Sequence, residues 1–306
     1  MDLKPYIDEN GLEAQVGANY EQNQVDGKIY TVSIGLASIG MWVNTDVLEA
    51  TGATMPEEWT TWEAFADAME TVRVNGEAMG YYSYGSGQGS IRMFNAALAA
   101  TPAGAEMLKG PLTADAINSE EFANAFRTVA TLDQQNGSAN SSVNANDFAA
   151  DFNNGLSAVF INGVWGASQF AGSDNFVSCI YPNSVAISSA NTGLYVANDL
   201  SDAQKEQVTN ADVLTAAEAR YMTSEEVQSR YFLEASSNPI NENVDIQKLA
   251  QESGDPTALK LAEACDKCNK ADTIVLAIDV CWGNDVGGAL QNKFAECAVA
   301  GTDIEA

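Results

Sequence analysis

Cys265 and Cys268 stand three apart, the spacing used by zinc knuckles and by redox-active thiols. A four-thiolate zinc site needs a second close pair, and Cys281 and Cys297 lie sixteen apart. No strand precedes the motif as a thioredoxin-like context requires. The five cysteines, with Cys179 the fifth, therefore leave three readings open: structural thiols or disulfides, metal, and redox chemistry. An odd number leaves at least one free thiol or an intermolecular bond. The chain has no histidine, which removes His-activated nucleophiles, His general bases and His metal ligands. Glycoside hydrolysis survives that exclusion because two carboxyl groups suffice for it. The acids are scattered, however, with no acid or nucleophile motif near the aromatic residues, so the chain reads as a non-enzyme. What remains is recognition chemistry: tryptophans beside glycines, and the aromatic, glycine-rich run from Gly80 to Ser90.

The elements that must position these residues follow from local pattern. Lys28 to Leu36 alternates as a strand does, and Ile39 to Val43 is a second extended run. Asn44-Thr45-Asp46 caps a short helix stopped by Gly52. Thr60 with Glu63 forms a capping box for a helix from Thr61 to Val74, with Trp62, Phe65 and Met69 inward. Gly80–Ser90 reads as a loop, with helices at 90–100, 119–135 and 145–153. Leu156 to Ile161 reads as a buried strand broken by Gly163, and Val164 to Phe170 as a helix start. Strands are expected at 176–181 and 192–197, and helices at 203–221, 224–233, 245–269 and 284–300. Mixed strands and helices favour α/β layers.

At 306 residues the chain has room for two lobes, and no apolar run approaches the ~18–20 residues of a membrane span. It carries 42 acidic and 14 basic residues, a net charge of −28, which argues against nucleic acid and anionic membranes as partners. The start, MDLKPYIDENG, has no signal-peptide pattern.

Five segments, in order, resemble the extracellular solute-binding proteins of ABC importers, of the maltose-binding type. Asp26-Gly27-Lys28-Ile29-Tyr30 is similar to D-G-K-x-Y, and Asn44-Thr45-Asp46-Val47-Leu48 to N-K-D-L-F. Pro56 followed by Thr61-Trp62-Glu63 resembles P-x-T-W-D/E with an extra stretch between. Phe152 to Trp165 resembles F-x-x-G-x-A-A-M-x-x-x-G-P-W, with Val164 in place of proline. Tyr221 to Gln228 resembles Y-L-T-S-x-E-x-Q, with Asn238-Pro239 following. The resemblance implies an α/β fold of the periplasmic-binding-protein type II kind, two lobes with a ligand cleft, the first lobe incomplete through truncation at the N-terminus. The implied division is 1–37 as remnant of lobe 1 and hinge strand, 38–190 as lobe 2, 191–245 as the return to lobe 1, and 246–306 as hinge and lobe 2 C-terminal helices.

For function, the resemblance implies a monomeric binding component, extracytoplasmic as a lipoprotein or in the periplasm, that hands a sugar or oligosaccharide to permease subunits without a cofactor or metal. A cationic solute, polyamine or peptide, is the alternative that the acidity suggests. The expected ligand-binding residues are Trp165 and Gly163 at the strand-to-helix turn, where a flat apolar face meets helix N-terminal donors. Trp282 is expected as a second stacking aromatic. Tyr84, Gln88 and Arg92 are expected as a polar rim, Ser38 lies in the segment where the resemblance puts the hinge, and Trp42, on a strand next to polar Asn44, reads either as core or as a ligand contact. Trp59 and Trp62 read as core.

Overall fold

A computed structural model describes residues 2–17, 24–25, 27–82, 84–136, 145–195, 201–204 and 217–304. The chain folds into two compact units: Met1–Ala37 with Ser189–Ala262, and Ser38–Ser188 with Glu263–Ala306. Residues 246–262, part of the stretch expected as hinge and lobe 2 C-terminal helices, lie in the first unit. The division falls inside the helix Pro256–Asn269. Among the described residues no helix is long and apolar enough to cross a membrane.

The first unit contains the helices Lys4–Asn10, Glu13–Val16, Ala217–Met222, Glu225–Ala235 and Ile246–Ser253, and a small antiparallel ribbon of β1 (Gln24–Val25) and β2 (Lys28–Ile29). Gly27, at φ 74°, makes its turn. Its core gathers Leu3, Ile7, Leu12, Val16, Ile29, Ala190 and Ile240. Gln228, the last residue of the Tyr221–Gln228 motif, is wholly buried. Its amide donates to Ile34 O and Met222 O, each at 2.8 Å, and accepts from Ile240 N at 2.8 Å. One side chain thus ties three stretches of chain together. Ser224 caps the Glu225–Ala235 helix by accepting from Val227 N.

The second unit is built on the mixed sheet in which β3 (Thr31–Asn44), from Ser38 onward in this unit, is central. β5 (Ser157–Gly163) and β6 (Phe176–Cys179) pair antiparallel with β3, β4 (Met79–Tyr82) runs parallel to β5, and β7 (Val185–Tyr195) runs parallel to β8 (Thr273–Val275). The two extended runs expected at 28–36 and 39–43 are β2 and this one long strand. The described part of the expected 192–197 strand belongs to β7, which begins at Val185, and the 203–221 helix falls mostly on residues outside those described.

Ser38 to Asn44 and all of β5 are buried, so this sheet is covered on both faces. Alternation sorts the side chains into two layers. Met41, Val43, Val159 and Ile161 join Phe65, Met69 and Phe94 from the helices Trp62–Asn75 and Tyr84–Ala99. Trp42 and Phe160 turn the other way, into a cluster with Phe152, Phe170 and Phe176 whose ring centroids lie 5.1–6.3 Å apart. Such pairs add specific geometry to a large apolar burial.

Two local expectations fail for physical reasons. Gly80–Ser90 is not a loop: Met79–Tyr82 is a strand and the helix Tyr84–Ala99 follows. Gly80 is needed for close packing, because a methyl group there would lie 2.9 Å from Met69 Cβ and 3.0 Å from Asn136 Cβ. The 245–269 helix is two helices, parted at Gly254, whose φ of 62° ends Ile246–Ser253 in a left-handed cap.

Candidate functional site

β5 delivers the candidate site. Phe152 closes the Ala145–Asn153 helix, Gly155 at φ 75° turns the chain, and the buried strand runs to Gly163. A 3₁₀ turn, Val164–Gly166, then leads into Ala167–Phe170. The helical run is only seven residues, so its dipole is small and individual backbone donors matter more than a macrodipole.

Trp165 sits on this turn, 38 % exposed and the most accessible of the five tryptophans. Its indole lies against Gly163: a methyl group on that residue would come 2.2 Å from Cη2 and Cζ3 of the ring. Gly163 is therefore required because it makes room for the aromatic face. Ser168 Oγ donates to Trp165 O at 3.1 Å and stiffens the turn.

Trp42 supports the same turn from beneath. It is 1 % exposed, packs against Phe170 with the rings tilted by 55°, and donates from Nε1 to Gly163 O at 2.9 Å. Gly166 makes that position possible, since a methyl group there would lie 2.4 Å from Trp42 Nε1. Trp42 is thus a buried prop, not a ligand contact. Its neighbour Asn44 suggested a polar surface, but Asn44 is itself buried. The sequence reading missed Gly166, whose only signal is its place one residue after Trp165.

Trp282 is also a core residue. It is 8 % exposed, stacks on Phe122 at 6.2 Å, approaches Phe94 at 6.4 Å, and donates to Met107 O at 3.0 Å. With its ring covered and its indole N–H satisfied, it offers no free stacking face. Arg92 is held by Asp279 through two bonds, Nη1 to Oδ1 at 2.5 Å and Nη2 to Oδ2 at 3.2 Å. Burial pushes the Asp279 carboxyl up, but the Arg92 hydrogen bonds and charge outweigh it and hold the group below its ordinary value. Asn95, one turn along, accepts from Ile278 N and donates to Leu276 O. Arg92 therefore fastens a helix to the 276–279 turn, and no sequence signal announces a partner 187 residues away.

Gln88 is exposed, and the Tyr84 side chain lies outside the described residues. Ser38 is fully buried, its Oγ 3.2 Å from Ser188 Oγ. Those two residues begin and end the first segment of the second unit, so Ser38 braces a chain crossing and is closed to solvent. At the opposite end of β3 and β5 lies a recess of about 600 Å³, lined by Asn44, Asp46, Asn75, Glu77, Asn154 and Asn175 among others. Asn175 is committed there, donating to Asn44 Oδ1 and Asp46 Oδ2 and accepting from Thr45 N.

The structure holds all five cysteines as thiols. Cys265 and Cys268 lie on the regular helix Pro256–Asn269, and burial raises both thiols, that of Cys268 to about 12. Thiols so hard to ionise are poor redox nucleophiles. Among the described residues no three acidic or cysteine side chains are grouped to hold a metal ion.

Comparison with known proteins gives this arrangement a context. Residues 2–255 match the family described as bacterial extracellular solute-binding proteins. A Streptococcus pneumoniae solute-binding protein, solved in complex with the blood group A-trisaccharide, is 39 % identical. The match covers 100 % of this chain and 76 % of that one, with a TM-score of 0.90. A chitin oligosaccharide binding protein shares the fold at 18 % identity, 100 % and 75 % coverage and a TM-score of 0.76. So does the sugar-binding protein MalE of Xanthomonas citri, at 14 % identity, 100 % and 75 % coverage and a TM-score of 0.72. No curated protein matches in the corresponding sequence search. The α/β layers around β3, the segment from Phe152 to Trp165 and the match over residues 2–255 lead to one assignment: the chain belongs to the bacterial extracellular solute-binding proteins.

Proposed function

We propose that the chain captures a sugar or oligosaccharide on the Trp165 indole, as the binding component of an ABC importer, and passes it to membrane permease subunits. The observation that carries this reading is the position of Trp165: an accessible indole, backed by Gly163, in a segment otherwise packed with aromatic residues. A sugar ring has the matching surface, with C–H patches for the ring and hydroxyls for the nearby backbone. The relative solved with blood group A-trisaccharide supports the choice of ligand class. In this reading the protein acts outside the cytoplasm as a monomer, performs no catalysis and uses no cofactor.

Calorimetry tests it with blood group A-trisaccharide, maltose and chitin oligosaccharides as probes. At least one glycan binds the wild type, and Trp165→Ala weakens that binding by about 2–4 kcal/mol, the range for a central aromatic contact. Unchanged affinity in the variant refutes the site. The net charge of −28 motivates a competing cationic ligand. A rise in melting temperature with spermidine and with none of the glycans replaces the carbohydrate reading.

A further inference from the structure

We propose that Cys179 and Cys268 form a disulfide that staples β6 to the helix Pro256–Asn269. Both residues line one small cavity of about 10 Å³, whose other walls include Gly40, Trp42 and Gly163. The residue preceding each cysteine makes an independent tether: Lys267 Nζ donates to Ser178 O at 2.8 Å. Gly40 brings β3 against the same place, since a methyl group there would lie 2.5 Å from Cys179 O. Strand and helix therefore meet where the two cysteines stand, with little space left over.

The chain's family is extracellular, and outside the cytoplasm paired thiols are oxidised and stay so. The reaction is thiol–disulfide exchange with a small-molecule disulfide such as glutathione disulfide. One cysteine thiolate, its proton lost to solvent, attacks a sulfur of the reagent and expels one reagent thiolate. The second cysteine thiolate attacks the mixed disulfide and expels the other. Two cysteine thiols lose two protons and two electrons, and the reagent disulfide is reduced to two thiols. Burial raises both cysteines to about 12 in the closed fold, with the ammonium of Lys267 opposing it. Exchange therefore belongs to the folding chain, before helix and strand close.

The whole chain is denatured, reduced, refolded in a glutathione/glutathione disulfide buffer, alkylated under denaturing conditions and digested without reductant for mass spectrometry. The expected result is a Cys179 peptide joined to a Cys268 peptide at two hydrogens less than their sum, with Cys265, Cys281 and Cys297 alkylated. Adding reductant to the oxidised protein lowers its melting temperature by about 5–10 °C, as the loss of a long-loop cross-link does. The same reductant leaves Cys268→Ser unmoved. Five alkylated cysteines, or a link between any other pair, overturns the proposal.

Discussion

Replacing Asp133 by asparagine should change stability in a way that depends on pH and nothing else about the fold. Asp133 lies on the helix Glu120–Asn136, 4 % exposed, and accepts from the phenol of the fully buried Tyr81 at 2.6 Å. Its second oxygen has no hydrogen-bond partner among the described residues. Burial raises the carboxyl from 3.8 to about 6, against the lowering effect of the Tyr81 and Ser90 hydrogen bonds. The groups facing it are Tyr81, Ser90 and the Cys297 thiol, none of which supplies positive charge. A folded state that holds the proton more tightly than the open chain is favoured at low pH. That contribution is complete below 3.8 and is lost as pH rises through about 6.

The displacement corresponds to about 3 kcal/mol, the cost of ionising the group in place. The amide introduced by Asp133→Asn would keep the acceptor for Tyr81 and never ionise. The variant should match the wild type near pH 4 and exceed it by a margin growing toward about 3 kcal/mol by about pH 7–8. Urea unfolding of both proteins across about pH 4–8, read as the difference in midpoint, measures this margin. A margin that stays constant with pH, or shrinks as pH rises, refutes the argument.

Two further substitutions probe the packing described above. Gly163→Ala forces the Trp165 ring away from the backbone, because the new methyl group would lie 2.2 Å from it. Glycan affinity should fall at least tenfold, with a shift in tryptophan emission while Trp42 remains buried; unchanged emission and affinity would contradict the role given to Gly163. Gln228→Ala leaves Ile34 O, Met222 O and Ile240 N without the partner that joins them, and should destabilise the first unit by about 2–4 kcal/mol. Chemical denaturation measures the loss, and a cost under about 0.5 kcal/mol, typical of surface sites, would show that the bracket is not structural.

The segment from Phe152 to Phe170 was legible because its roles are local. A glycine turn, a buried strand and a helical restart each follow from neighbouring residues, and they place Trp165 correctly at an accessible turn. The burial of Trp42 and Trp282 is not legible locally because the groups that cover them are distant. Phe170 and Gly163 lie more than a hundred positions from Trp42, and Met107 lies 175 from Trp282. The Arg92–Asp279 pair escaped notice for the same reason. Gly80 misled in a different way, since glycine marks close packing as readily as it marks a turn, and only the helix above it distinguishes the two.

The chain's division also bears on the order in which it can fold. Each unit is assembled from two stretches separated by the whole of a stretch belonging to the other. The core of the second unit contains Trp282 and Phe294, and that of the first contains Ile240. Synthesis from the N-terminus therefore cannot complete the first unit until Ile240 has emerged, nor the second until Phe294 has. Contacts of such long range are slow to form, because loop closure must precede the packing that rewards it. Until Ile240 has been made, both cores lack residues that their packing requires.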